Sequence, residues 1–235
     1  MGEAKRKKIS GEMDYWYHGT DEHFLAWAHP PRTAKYKPEL RPHAFISLSK
    51  DIELARSAGK ICGGLCRAKL MDSANVLDLR QKSSATEEHW KCLLKEDLAK
   101  LHTLVQDFDS WVEACSTGEV LRLHTTNDEL RNRLEPMQRI AKDRSAPLKM
   151  RAYAHQEVQN FTRQWIDCVM APAKELGYQA VICAEVDRYR PGGKKACLNL
   201  YVFDPEAITP PDWVSVPDET LMLPYQEKLK ELGIC

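Results

Sequence analysis

The sequence predicts an α+β domain, and three observations carry this prediction. Short strand-like segments occur in the first and last parts of the chain, at residues 15–17, 45–48, 178–183 and 197–203. Between them, residues 83–115 carry apolar residues at three- and four-residue steps, which is typical of amphipathic helices. Because the early and late strands need one another to build a sheet, residues 81–147 are interpreted as a helical insertion and not as a separate domain.

The composition excludes several classes of protein. The 235 residues include 34 Lys and Arg against 34 Asp and Glu, so no net field steers the whole chain to nucleic acid or membrane. No apolar run reaches membrane-spanning length. The eight cysteines lack disulfide-framework spacing, which favours reduced thiols in a cytoplasm. Residues 1–12 are basic, lack the apolar stretch of a signal peptide and are predicted to be a disordered leader; contact with nucleic acid is the alternative.

The first strand ends in a His-Gly-Thr turn. The aromatic residues Tyr15 to Tyr17 favour a buried strand, and Gly19 allows the backbone to bend or to approach a ligand closely. His18 lies where the strand opens and offers a ring nitrogen to whatever the turn holds. Taken alone, a strand that stops at a glycine, with an idle His18, is the simpler explanation.

Residues 28–43 form a predicted loop, because they contain four prolines. The loop carries Tyr36 among several Lys and Arg residues. This composition suits an anion such as a pyrophosphate. A solvated loop without a ligand is the alternative.

A strand and a helix are expected after this loop. Residues 45–48 alternate as a strand, and Ser49 is the expected cap of a helix that reaches Ala58. Cys62 and Cys66 lack a matching second pair and do not predict a zinc site.

Helical signals dominate the middle of the chain. Ser84 and Thr126 begin capping signatures, and the apolar stripes that follow are interpreted as core, with partner surfaces as the alternative. Pro136 is expected to kink or end the helix that contains it. Pro172 is expected to break the next helix, predicted over residues 150–170.

A late hairpin and a tail complete the chain. The strands 178–183 and 197–203 are joined by a charged loop with a Pro-Gly-Gly turn. The domain is predicted to span residues 13–210. A proline-rich tail, residues 211–235, is expected to wrap the surface and to end in a short helix.

Three stretches in this order resemble the ADP-ribosyltransferase fold. They are Tyr17-His18-Gly19-Thr20, Phe45-Ile46-Ser47-Leu48-Ser49 with the helix behind it, and Gly177-Tyr178-Gln179-Ala180-Val181-Ile182 followed by Tyr201-Val202-Phe203-Asp204-Pro205. They are most similar to small prokaryotic and phage-associated members with a His-Gly first motif. The resemblance covers about residues 13–80 and 150–210. It implies a mixed or antiparallel β core split into two small sheets, with the helical insertion unmatched.

The resemblance implies that NAD is the substrate. The nicotinamide of NAD is already positively charged and leaves without a proton, so the oxocarbenium character of the ribose carbon limits the reaction. By resemblance, the Gly19 backbone holds the nicotinamide amide, His18 holds a ribose hydroxyl, and Phe45 or Tyr36 stacks on the ring. Ser47 would hold the second strand in place. The expected NAD-binding residues are Tyr17, His18, Gly19, Thr20, Tyr36, Phe45 and Ser47, and no metal is implied.

The third motif departs from the family pattern. Members usually place a Glu on or just before the late strand, where this chain has Asn199, which carries no charge. Glu185 and Asp187 are the nearest carboxylates, and we expect Glu185 to fold back toward Asn199 and replace the missing acid. The expected catalytic residues are therefore His18, Glu185 and Asn199.

Three functions remain open at this point. The first is an NAD-dependent mono-ADP-ribosyltransferase of the bacterial cytoplasm, a toxin or phage-conflict effector that modifies a protein or a nucleic acid and has an antitoxin or inhibitor protein as partner. The second is a degenerate domain that binds a nucleotide or a partner without catalysis, which Asn199 favours. The third is a purely structural domain.

Overall fold

The structure, a computed structural model, describes residues 14–28, 42–96, 119–121, 128–187 and 195–231. Its elements in chain order are β1 (Tyr15–Thr20), β2 (Ile46–Ser49), α1 (Ile52–Ala58), β3 (Gly64–Lys69), β4 (Val76–Asp78), α2 (Ser84–Glu96), β5 (Glu119–Leu121), α3 (Asp128–Lys142), α4 (Leu148–Glu175), β6 (Ala180–Asp187), β7 (Lys195–Val202), β8 (Asp212–Ser215) and α5 (Met222–Glu231). The predicted α+β class is confirmed. No helix in these ranges has both the length and the apolar character needed to cross a membrane.

The described strands form one mixed sheet. Its order is β4-β6-β7-β2-β1-β3-β8, and β5 also pairs with β6. Strands β4 and β5 run parallel to β6, whereas the other pairs are antiparallel. β1 and β2 share a single register pair, Tyr17 with Ser49, whereas β1 is paired with β3 along its whole length. The link between β1 and β2 is thus short, but the strands form one continuous sheet, and the expected split into two small sheets is wrong.

The two faces of the sheet bury separate cores. On the face that we call the helix face, Phe45, Val181 and Tyr201 pack with residues of α2, α3 and α4. On the opposite side, called the loop face, Trp16 and Leu48 form a second core with residues of the segments between elements. Side chains of a strand alternate between these faces, so the register decides which residues can share a site.

Asp51, and not the predicted Ser49, caps α1. The Oδ1 atom of Asp51 accepts hydrogen bonds from the backbone nitrogens of Glu53 and Leu54, each at 3.0 Å. Ser49 is the last residue of β2, and its hydroxyl accepts from the Asp51 backbone nitrogen at 3.1 Å. The expected cap therefore lies two residues too early in the sequence.

Neither proline ends its helix. Pro136 lies inside α3 and Pro172 inside α4, which continues to Glu175. Proline removes one backbone hydrogen bond and costs about 3 kcal/mol in a helix interior. In α4, burial of Val169, Met170 and Ala173 around the proline offsets this cost.

The predicted tail contributes a strand. β8 pairs with β3, Trp213 lying opposite Cys66, so the sheet extends beyond the boundary predicted at residue 210. The C-terminal helix is present as α5. The predicted leader, residues 1–12, lies outside the described residues, as do residues 97–118 and 122–127 of the insertion.

A buried histidine in α2 should make the stability of the fold depend on pH. His89 is fully buried, and within the described part neither ring nitrogen has a hydrogen-bond partner. Burial lowers the pKa of His89 to about 4. The nearby Val169 backbone raises this pKa, but by less than burial lowers it. Since the unfolded residue titrates near 6.5, only the unfolded chain takes up this proton between those values, and stability falls as the pH falls.

We expect the free energy of unfolding to drop by about 3 kcal/mol on this account between pH 6.5 and pH 4. Urea unfolding across this range should show a smaller drop in His89→Leu than in the parent chain. His155→Leu, at an exposed histidine of α4, is the matched control and should keep the parent's pH dependence. An equal drop in His89→Leu would contradict the assignment.

Candidate active site

A carboxylate, an amide and a hydroxyl meet on the helix face where β6 and β7 pair. Glu185, Asn199 and Tyr201 are 5%, 3% and 1% exposed. The Tyr201 hydroxyl donates to Glu185 Oε2 at 2.6 Å, and Asn199 Nδ2 donates to the same oxygen. The structure thus brings Glu185 against Asn199, the arrangement expected from the sequence.

The register of the hairpin produces this cluster. Asn199 lies directly opposite Cys183 in β6 and opposite Ser49 in β2, so all three side chains project from the helix face. Glu185 and Tyr201 are two residues from Cys183 and Asn199 and share the same face. Sequence reasoning missed Tyr201 and Cys183, although two-residue alternation from Asn199 and Glu185 would have pointed to both.

Burial keeps two side chains beside Glu185, those of Tyr201 and Cys183, neutral. It raises the pKa of the Tyr201 hydroxyl well above its usual value, and the charge of Glu185 adds to the effect. The same two causes raise the pKa of the Cys183 thiol. The Oδ1 atom of Asn199 is buried and accepts no hydrogen bond from any described residue. The cluster therefore contains one buried carboxylate and one amide oxygen without a hydrogen-bond partner among the described residues.

His18 lies on the loop face. Its ring packs edge-on against Phe24 and Trp27, with ring centroids 6.0 and 5.6 Å away. Its Nδ1 atom is 2.8 Å from the backbone oxygen of Ser47. Because a carbonyl only accepts, Nδ1 carries the hydrogen and Nε2 is left as an acceptor. Burial lowers the pKa of His18, the Ser47 carbonyl opposing this effect, so the ring is neutral at pH 7.

His18 and Glu185 project from opposite faces of the sheet. Tyr17 is paired with Ser49, which is paired with Asn199, so Tyr17 shares the helix face and His18 points away from it. His18 lies beside Ser47 and contacts its backbone, but the side chains of these two expected NAD-binding residues project from opposite faces of the sheet. The ring also joins β1 to β2 where the ladder is weakest. Its removal would cost stability, contrary to what a residue at an open strand end suggests.

Close packing explains why residue 19 is a glycine. A Cβ atom at this position would lie 1.7 Å from the backbone oxygen of Ala55 in α1. Gly59 and Gly64 are crowded in the same way by the backbone of Thr20, at 2.6 and 2.4 Å. The junction of α1, β1 and β3 thus excludes side chains at three positions. The contact between Gly19 and a nicotinamide amide stays a prediction.

Two residues that were expected to contact NAD, Phe45 and Thr20, make other contacts in the structure. Phe45 is 1% exposed and packs on Tyr201 and His43, with centroids 4.3 and 5.1 Å away. It is a core residue, so the expectation that its ring stacks on nicotinamide is wrong. The Thr20 hydroxyl donates to the Glu22 carbonyl at 3.2 Å within a local turn. Tyr36, the alternative platform, lies outside the described residues.

The two cysteines considered for zinc are buried free thiols. Burial raises the pKa of Cys66 to about 12, and that of Cys62 also rises for the same first cause. Within the described ranges, no three His, Cys, Asp or Glu side chains converge as they would around a metal ion.

Comparisons with known proteins give no family. No protein-family model and no curated protein matches the chain. Among solved structures, the chain is similar at 14% identity to one titled "Crystal structure of an anti-CRISPR protein", with a TM-score of 0.37 over 85% of this chain and 94% of that one. A likeness this distant carries no argument about this chain.

Proposed function

We propose that the chain is an NAD-dependent mono-ADP-ribosyltransferase in which Glu185 supplies the carboxylate. The contact of Glu185 with Asn199 supports this proposal, because Asn199 occupies the position where the resemblance implies an acid. A carboxylate shielded from water stabilises a nearby positive charge more strongly than an exposed one.

In the proposed reaction the bond between the ribose C1′ and the nicotinamide nitrogen breaks, and its electron pair neutralises the nicotinamide. Glu185 opposes the positive charge that develops on the ribose. Asn199 Oδ1, the unused acceptor, takes a hydrogen bond from a ribose hydroxyl. The acceptor then forms a bond to C1′ and loses a proton to water. Binding free energy is used mainly in the transition state, where this charge is largest.

The test is incubation of the chain with NAD labelled in its adenylate part, in bacterial extract. We expect release of nicotinamide and transfer of label to a macromolecule. The absence of both with every acceptor fraction would overturn the proposal.

The proposal includes a cellular role, that of a cytoplasmic toxin or phage-conflict effector with an antitoxin or inhibitor protein as partner. This role is tested by expression of the chain in growing cells.

A second candidate is a domain that binds a nucleotide or a partner without catalysis. The observation that favours it is the separation of His18 and Glu185 onto opposite faces, since the resemblance assigns both to one ribose. Calorimetric titration with NAD distinguishes the two candidates. Binding without nicotinamide release would support the second.

A further inference from the structure

A row of side chains leads from the candidate site across the sheet. Directly paired residues connect Asn199 to Ser49, Ser49 to Tyr17 and Tyr17 to Arg67. Antiparallel partners project to the same side, so this row lies on the helix face. With strands about 4.8 Å apart, Arg67 is roughly 14 Å from Asn199.

Two cations are held at the far end of this row. The Arg67 guanidinium lies 4.0 Å and the Lys69 ammonium 4.6 Å from the centroid of the Tyr15 ring. Asp212 pairs with Arg67 at 2.7 Å, and these two side chains are 52% and 30% exposed. An ion pair this exposed contributes little, so a phosphate can take the place of Asp212.

Tyr17 lies between these cations and the candidate site. Its ring is partly exposed and makes no hydrogen bond or ring contact with any described residue. Lys50 and Asp14 add one charge of each sign near the start of β1. An aromatic ring beside cations on a sheet face is the combination that binds single strands, since bases stack on the ring and phosphates meet the cations.

We infer that Tyr17, Arg67 and Lys69 bind a single-stranded nucleic acid, and that this strand is the ADP-ribose acceptor. One base stacks on Tyr17, and the phosphates beside it contact Arg67 and Lys69. The roughly 14 Å from Arg67 to Asn199 corresponds to about four stacked nucleotides at 3.4 Å each. The assignment as acceptor rests on the proposed function, whereas binding of the strand requires no NAD. In the transfer step, a nucleophilic atom of the strand bonds to C1′, nicotinamide leaves with the electron pair, and the proton of the nucleophile passes to water.

The test of binding is fluorescence anisotropy with labelled 20-nucleotide poly-U and poly-dT, without NAD. Tyr17→Ala is expected to weaken binding about tenfold or more, the effect of losing one stacked base, and Tyr17→Phe to retain it. Lys69→Gln should reduce the slope of log affinity against log salt by about 0.7. Tyr153→Ala, at an exposed tyrosine of α4, is the matched control and should bind as the parent does. Thermal melts show whether each variant is folded.

Three outcomes would contradict the proposed binding surface. They are no binding of either strand, an unchanged affinity in folded Tyr17→Ala, or equally tight binding of a duplex of the same length. Transfer is tested separately with labelled NAD and either single strands or bacterial protein. Label on the strands supports the acceptor assignment, and label on protein alone overturns it. Tyr17-dependent binding of strands without nicotinamide release would support the surface and overturn the proposed transferase.

Discussion

Glu185→Gln is expected to reduce NAD-dependent labelling at least a hundredfold. Glutamine keeps the shape of the side chain and can accept the hydrogen bonds of Asn199 and Tyr201 through its carbonyl oxygen. It cannot oppose the positive charge of the ribose, and loss of such an electrostatic contribution in a dry site typically costs a factor of about 100 to 1,000 in rate. The measurement is the initial rate of label transfer, with a thermal melt to show that the fold is retained.

Two further variants serve as controls for Glu185→Gln. Asp187→Asn removes the neighbouring carboxylate of the same strand and should change the rate much less. Asn199→Ala should mainly weaken NAD binding, because the amide positions a hydroxyl and carries no charge. Full activity in Glu185→Gln would transfer the role of the acid to another residue.

Gly19→Ala is expected to destabilise the fold by about 3 kcal/mol or more, toward the upper end of the range for overpacked sites. The added methyl carbon would lie 1.7 Å from the Ala55 oxygen, which belongs to the helix backbone and cannot rotate away. Helix α1 would have to move as a unit, and its contacts with β1 would be lost. Urea unfolding followed by circular dichroism gives the free energy.

Gly177→Ala separates this steric effect from loss of conformational freedom. Gly177 has a positive φ of 84°, but a Cβ there would meet no atom within 4 Å. Its replacement should cost only about 1–2 kcal/mol, the penalty of the left-handed conformation. A smaller loss in Gly19→Ala than in Gly177→Ala would show that α1 can move aside.

Local connection explains what the sequence could predict about the site. Glu185 and Asn199 lie in β6 and β7, two strands that are near in the chain and pair antiparallel, so their proximity could be predicted from the sequence. The face of the sheet on which His18 lies could also be predicted. In a strand, His18 projects to the same side as Trp16 and to the side opposite Tyr15, Tyr17 and Gly19. The family motif groups His18 with the catalytic acid regardless of that side. The resemblance therefore implies that His18 and the acid act on one ribose, whereas the register places their side chains on opposite faces.

Tertiary contacts explain what local rules could not predict. Pro172 breaks an isolated helix, but in α4 its surroundings are buried against the sheet and the helix continues. β8 is four residues long and follows two prolines, so only its pairing with β3 identifies it as a strand. Phe45 has an aromatic ring that could stack on a ligand. Its contacts with Tyr201, which is distant in the chain, and with His43 make it a core residue instead.

The short strand β5 makes the helical insertion an integral part of the molecule. It pairs in parallel with residues 184–186 of β6, and Val120 lies opposite Glu185 itself. An evolutionary or engineered excision of the insertion would expose the main chain that carries the acid, and the hydrogen bonds of that edge would have to be replaced by water. The insertion therefore cannot be removed as an independent unit without opening this edge of β6. Any change in its length must preserve the three residues of β5 and their alignment.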